Sequence, residues 1–306
     1  MPSDRASFIV LVGPTAAGKT GLALDLAERI GAEIVNADSM ALYRGMEIGT
    51  ARTPVPLRRG IPHHQIDVLA LTEEASVAAY QRRARADIEA IWARDRTALL
   101  VGGSGLYVRA VVDLIEFPAT DGAIRAKWET LGAELGGPRL HAELARLDPV
   151  AAASILPGNV RRLARALEVV ELTGQPFSAR LPERTPWRPV GIVGLDLDDA
   201  TLDRRIAGRT RWMMRRGLID EARALVGAGL RDGRTARQAI GYKEALDVVD
   251  DLTTPDEAAE RIALRTRQLS RRQRRWFRRD PRIVWLDSSE PDLLERALAC
   301  TRIPTA

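Results

Sequence analysis

The sequence predicts an α/β fold, a parallel sheet flanked by helices and interrupted by an all-helical insertion. Three observations carry that prediction. Short apolar runs alternate with helix-period segments over residues 8–101. The first run opens onto Gly13-Pro-Thr-Ala-Ala-Gly-Lys-Thr20, a glycine-rich loop ahead of a helix. From about Phe117 the strand signals stop, and residues 123–173 are helix-like throughout.

Phe8–Val12 is continuously apolar, as a strand buried on both faces of a parallel sheet must be. Residues 19–30 read as a helix with Leu22, Leu26 and Ile30 on one face and Gly31 as its stop. Ile34–Ala37 is a second strand, opening onto Asp38. A helix over 76–95 starts at Ser76 and repeats Val77, Tyr80, Ala84, Ile88 and Ile91. Ala98–Val101 is a third strand, running into Gly102-Gly-Ser-Gly105. Strand–helix alternation of this kind builds right-handed βαβ units.

The insertion is placed at 118–189, between a first core part at 1–117 and its remainder at 190–306. Its helices break at Gly136-Gly-Pro138, Asp148-Pro149 and Pro157-Gly158. It ends in a connection carrying Pro176, Pro182, Pro186 and Pro189. Val190–Leu197 returns to strand. Two long helices follow. The first begins near Thr201, with Leu202, Ile206, Thr210 and Met213 on one face. The last opens with the capping box Thr254-Pro-Asp-Glu257 and is expected to bury Ile262, Thr266, Leu269 and Trp276 before stopping at Asp280-Pro281. Ile283–Leu286 is a final strand.

Composition narrows the class of protein. The apolar runs are too short to cross a bilayer, and no secretory leader is visible. Cys300 is the single cysteine, so no internal disulfide can form, as suits a reducing cytoplasm. The net charge of +5 permits a nucleic-acid partner without requiring one. Lysine occurs only at Lys19, Lys127 and Lys243, so a lysine inside the glycine-rich loop is informative. A monomer is the default expectation.

Gly13, Gly18, Lys19 and Thr20 match G-x-x-x-x-G-K-[ST] in a strand–loop–helix setting, the P-loop of an NTPase-like fold. Backbone N–H groups and the helix terminus would cradle a phosphate, Lys19 would reach its outer oxygens, and Thr20 offers a hydroxyl to Mg²⁺. ATP is the obvious cargo, yet the strand over 98–101 ends in glycines where most such NTPases carry a carboxylate. Asp38, after the second strand, shares the same sheet edge. It serves either as a general base or as a turn cap. Ser104 is either a phosphate donor or a simple turn serine. His63-His64 lacks the converging ligands of a metal site.

Nine arginines lie between Arg261 and Arg279. They form either a solvated face or a nucleic-acid surface, and Arg161, Arg162 and Arg165 give a second cluster. Arg205 and Arg209, one helical turn apart, are placed to clamp a diphosphate.

These pieces together resemble the tRNA dimethylallyltransferase (tRNA isopentenyltransferase) family, bacterial type, over nearly the whole chain. The resemblance rests on the P-loop, Asp38-Ser-Met-Ala-Leu-Tyr43, Gly45-Met-Glu-Ile-Gly-Thr50 and Pro62-His-His-Gln-Ile-Asp67. It continues through Val101–Tyr107, Arg165–Val169, Ile240-Gly-Tyr-Lys243 and Thr266–Gln273. It implies transfer of a dimethylallyl group from dimethylallyl diphosphate to the exocyclic amine of the adenosine 3′ of the anticodon in tRNA, with that base flipped into a channel. Asp38 would be the base, acting with Ser104 and Arg209. The diphosphate and Mg²⁺ would sit on Gly13, Pro14, Thr15, Ala16, Ala17, Gly18, Lys19 and Thr20. Contacts to tRNA would come from Asp38, Ser39, Met40 and Ala41, from Ser104 and Arg125, and from Arg161, Arg162, Leu163, Ala164 and Arg165. Gln238, Ala239, Ile240, Gly241, Tyr242 and Lys243 complete that set, and the helical insertion would grip the anticodon stem-loop. Ala41 stands where the family often has Gln, and Ser104 replaces a common Thr. Three other readings stay open: a P-loop small-molecule kinase, an isopentenyltransferase acting on free adenine nucleotides, and an RNA-binding protein whose P-loop is structural.

Overall fold

The computed structural model describes residues 8–177 and 184–301. Pro182 of the expected proline-rich connection lies outside them. The described residues form two compact units, Asp113–Thr185 and the chain on either side of it.

The larger unit is built on six parallel strands: β1 (Phe8–Val12), β2 (Ala32–Asn36), β3 (His63–His64), β4 (Thr97–Gly102), β5 (Val190–Asp196) and β6 (Ile283–Asp287). Their order is β3-β2-β4-β1-β5-β6. Central β1 pairs with β4 and β5 and is buried along its whole length. Ile9 and Leu11 face one layer with α1 (Lys19–Ile30). Phe8, Val10 and Val12 face the other, with α2 (Val77–Trp92) and α3 (Gly105–Val112). Two buried faces explain why β1 shows no polar alternation. Its carboxyl end has one backbone solution: Gly13 has φ 141°, and a Cβ there would stand 2.3 Å from the Leu195 carbonyl oxygen.

Helix ends fall where the local chemistry directs. Gly31 closes α1 in the left-handed conformation, its N–H bonded to the Ala27 oxygen, and Ser76 caps α2 by accepting from Ala79 N–H. The second helix stops at Trp92, three residues before the expected end.

The smaller unit holds α4 (Gly122–Leu135), α5 (Gly137–Leu147), α6 (Pro149–Ser154) and α7 (Val160–Thr173), separated at the three predicted breaks. Its limits differ from 118–189 because the chain leaves the larger unit at Val112, whose carbonyl accepts from Trp187 N–H, whereas Leu114 N–H donates to Thr185. Buried Glu168 organises the unit. It accepts from Asp121 N–H at 3.0 Å and from Arg125 Nε at 2.8 Å, and it pairs with Arg165 at 2.9 Å. Burial pushes this carboxyl up, but Arg165 and Arg125 outweigh it and hold it below the usual glutamate range. Its stabilisation is therefore complete at neutral pH and lost as acid protonates it. Glu168→Gln is expected to cost about 3 kcal/mol, because two half-buried guanidiniums lose their counter-charge. Chemical denaturation at pH ~7 checks this.

Beyond β5 the larger unit continues with α8 (Asp199–Arg215), α9 (Leu218–Val226), α10 (Tyr242–Val249), α11 (Pro255–Phe277) and α12 (Leu293–Thr301). Only α8 and α11 were legible as long helices. On α8, Leu202, Ile206, Thr210 and Met213 are buried as expected. On α11 the capping box forms, with Thr254 Oγ1 accepting from Glu257 N–H and Glu257 accepting from Thr254 N–H. Its buried residues are Ala258, Ile262, Ser270 and Phe277. Thr266, Leu269 and Trp276 do not join the core as expected. They line a cavity, because α11 packs on the helices α8, α10 and α3 and part of its apolar stripe is left facing the space beside them. No helix among the described residues is long and apolar enough to cross a membrane.

Candidate active site

The P-loop runs from the end of β1 to the start of α1, beside a cavity of about 380 Å³. Gly18 caps α1 with φ 98° and no side-chain bond, so the first-turn N–H groups remain available to an anion. Ala16 is held at φ 66°. Lys19 Nζ donates to the Gly13 and Pro14 carbonyl oxygens at 2.9 and 2.7 Å. Burial pushes this ammonium down to about 8, Asp38 pulls it up, and Arg209 pushes it further down. An anion binds the protonated form, so above pH 8 the empty site must take up a proton to bind. Isothermal titration with inorganic pyrophosphate is expected to show affinity falling by up to ~10-fold per pH unit above that point.

Asp38 forms the turn that its sequence allowed. Oδ1 accepts from Met40 N–H at 2.9 Å and closes a turn. Its other oxygen makes no hydrogen bond among the described residues. The turn is clamped to β2, where Asn36 Oδ1 accepts from Asp38 N–H and Nδ2 donates to the Asp38 and Gln65 carbonyls. Ser104 Oγ accepts from Ser39 N–H at 3.2 Å, tying this turn to the end of β4.

Arg209 reaches in from α8. It donates to Thr15 Oγ1 at 3.3 Å and to the Thr50 carbonyl at 3.0 Å, and its buried Nε has no partner. Burial lowers its pKa, against the pull of Asp38. Two desolvated cations facing one carboxylate leave an excess of positive charge, which a bound anion would neutralise. Arg205, on the same face, donates to the Ala16 carbonyl.

A second cavity, of about 630 Å³, opens from the same point. Met40, Leu106, Met213, Ile240, Ile262 and Leu269 give it apolar walls. The two cavities share Thr15, Asp38, Thr50, Gly103, Arg209 and Gln273. Among the described residues the two adjoining cavities make a channel, cationic at one end and largely apolar at the other, with Asp38 and Arg209 where the halves meet.

Thr50 is placed by a loop that the sequence did not mark as structural. Glu221 on α9 accepts from Ile48 N–H, and Tyr242 on α10 donates to Glu221 while accepting from Gly49 N–H. This explains Tyr242, whose side chain is fully buried, as a support for the channel wall. Gln238, Ala239 and Ile240 line the apolar cavity, whereas Lys243 pairs with Asp247 and Gly241 is buried. Ser39 and Met40 line the apolar cavity, and Ala41 the cationic one.

In the smaller unit Arg161 and Arg162 are exposed, whereas Leu163 and Ala164 belong to the core. Arg165 and Arg125 are committed to Glu168, and Arg165 also donates to the Pro118 and Ala119 carbonyls. The arginines of α11 and of the two residues after it divide in the same way. Arg265 pairs with buried Glu244, Arg274 and Arg278 with Asp196, Arg271 with Asp203 and Arg261 with Asp247. Arg267, Arg272, Arg275 and Arg279 form no ion pair among the described residues, and Arg272 lines the apolar cavity. His63 bonds the Ile61 carbonyl and His64 pairs with Glu33.

Magnesium takes hard oxygen donors and keeps many water or phosphate ligands. Thr20, exposed at the start of α1, is such a donor. No group of three or more His, Cys, Asp or Glu able to hold a metal stands among the described residues. A single donor fits an ion carried mainly by the oxygens of a bound diphosphate.

Known proteins resemble this chain in sequence and fold. Residues 41–280 match the family described as IPP transferase. The tRNA dimethylallyltransferase of Nocardia farcinica is 58% identical over 95% of this chain and 93% of its own. That of Mycobacterium tuberculosis is 55% identical over 93% and 94%. Among solved structures, the tRNA isopentenylpyrophosphate transferase of Bacillus halodurans superposes with a TM-score of 0.70, at 37% identity over 96% and 94% of the two chains. A eukaryotic dimethylallyltransferase acting on tRNA reaches 0.82, at 25% identity over 96% and 77%. With this fold, this channel and these relatives, the chain belongs to the IPP transferase family.

Proposed function

We propose that the chain transfers the dimethylallyl group of dimethylallyl diphosphate to the exocyclic amine of the adenosine 3′-adjacent to the anticodon in tRNA, releasing pyrophosphate. The observation that carries this reading is the channel with a cationic end, an apolar end and Asp38 at their junction. The apolar half suits a prenyl chain meeting an extruded base.

The amine nitrogen attacks the first carbon of the prenyl group. Its lone pair forms the new N–C bond, the carbon–oxygen pair leaves with pyrophosphate, and Asp38 takes the amine proton. Lys19, Arg209 and the first-turn N–H groups of α1 stabilise the leaving group, the main electrostatic contribution to rate. Thr15 would donate to the same oxygens, and Ser104 would do so by turning its hydroxyl from Ser39. A Mg²⁺ ion held by Thr20 and the diphosphate would add positive charge there. Arg161, Arg162 and the unpaired arginines of α11 supply phosphate contacts for the anticodon arm, and the helical unit is its grip. We take the chain to act as a monomer.

The test is incubation with dimethylallyl diphosphate, Mg²⁺ and unmodified tRNA, followed by nucleoside mass spectrometry. A dimethylallyl group on one adenosine is the expected product. Prenylation of AMP in preference to tRNA, or ATP consumption without tRNA, would replace this reading by one of the other two enzymes.

A further inference from the structure

We propose that Gln273 is a further residue of this transfer, one that donates a hydrogen bond from Nε2 to the diphosphate oxygen leaving the prenyl carbon. The proposal rests on the transferase reading and deepens it. Gln273 projects from α11 into the point where the two cavities meet, and lines both.

Its orientation is dictated by chemistry. Thr15 N–H, a P-loop donor, lies 2.8 Å from the carboxamide oxygen. A donor can be met only by an acceptor, so Oε1 faces the P-loop and Nε2 is turned away from it. Nε2 makes no hydrogen bond among the described residues. It lies so close to Gly103 that a Cβ there would stand 2.5 Å away, and two residues on, a Cβ at Gly105 would stand 2.1 Å from Trp276 Cδ1. The turn after β4 is thus bare where α11 crosses it, and the bare turn lets the carboxamide reach the junction.

Gln273 adds a neutral carboxamide donor to the hydroxyls of Thr15 and Ser104. Lys19, Arg205 and Arg209 supply positive charge, and Asp38 accepts a proton. The bridging oxygen gains charge only as its bond to carbon breaks. A fixed dipole aimed there acts mainly in the transition state and so raises kcat more than it lowers KM.

The test compares purified wild-type protein with Gln273→Glu and Gln273→Met, measuring kcat, KM for dimethylallyl diphosphate, tRNA Kd and melting temperature. Gln273→Glu keeps an acceptor for Thr15 N–H and replaces the donor by a carboxylate oxygen. At neutral pH its kcat is expected to fall ~10²–10³-fold, the usual effect of losing one such donor, with tRNA Kd within about twofold. The ratio of its kcat to wild type should rise as pH falls, because protonation restores an O–H donor. Lys19, Asp38, Arg205 and Arg209 face this position in both proteins, and pyrophosphate titrations of each variant across pH record how far the new carboxylate shifts them. Gln273→Met should lose kcat with a ratio flat in pH. A Gln273→Glu kcat near wild type, a ratio independent of pH, or a loss seen only in tRNA Kd or melting temperature would overturn the donor role. Wild-type protein that makes no prenylated adenosine would overturn the transferase reading itself, a distinct result.

Discussion

Asp38→Asn is expected to lower kcat for prenyl transfer by about 10³-fold, the scale of a lost general base, while tRNA affinity stays within a few-fold. Asparagine keeps an oxygen for Met40 N–H, so the turn that presents the side chain survives. What disappears is the second oxygen, free to take the amine proton. Removing the charge has a further consequence. Asp38 raises the proton affinity of Lys19 and Arg209, so without it the Lys19 pKa falls below about 8. The pH above which pyrophosphate binding weakens should move down in this variant. At lower pH, binding should equal or exceed wild type, since the carboxylate no longer repels the anion. Single-turnover kinetics with pyrophosphate titrations across pH check both effects. Asp38→Asn with normal turnover would remove the base assignment.

Arg209 should give the second large effect. Arg209→Met is expected to reduce kcat/KM by ~10²–10³-fold, as for other groups that stabilise a developing anion. Its guanidinium joins the P-loop at Thr15 to the 45–50 loop at Thr50, and its unpartnered Nε lies buried in the site. A lysine cannot serve both partners, so Arg209→Lys should also fail. Stability should respond differently. A desolvated cation with an unmet donor is a cost to the empty protein, so the methionine variant should melt within a few degrees of wild type or above it. Differential scanning fluorimetry with and without pyrophosphate separates the two. Pyrophosphate should stabilise wild type strongly and the variant little.

How far the sequence could be read varies along the chain. The P-loop, Asp38 and the α11 capping box were legible because each is a local device whose partners lie within a few residues. α9 and α10 were not, since their apolar stripes are short and their packing is decided elsewhere. The arginines show the limit most clearly. Arg161, Arg165, Arg272 and Arg274 look alike in sequence. Folding brings Glu168 to Arg165 and Asp196 to Arg274, leaving Arg161 and Arg272 without such partners. Gln273 lies 258 positions from Thr15, and no spacing rule foretells that bond.

The strand–loop–helix turn of the P-loop, the alternation that builds the sheet and the helical insertion can be read from the residues alone. Those follow from backbone conformation and short-range periodicity. Only the tertiary structure decided that the cradle opens into an apolar channel, that Asp38 and Arg209 stand at the junction, and which guanidiniums remain unpaired. Each of those depends on charges and carbonyls distant in sequence becoming neighbours away from water, where an unmet polar group is costly.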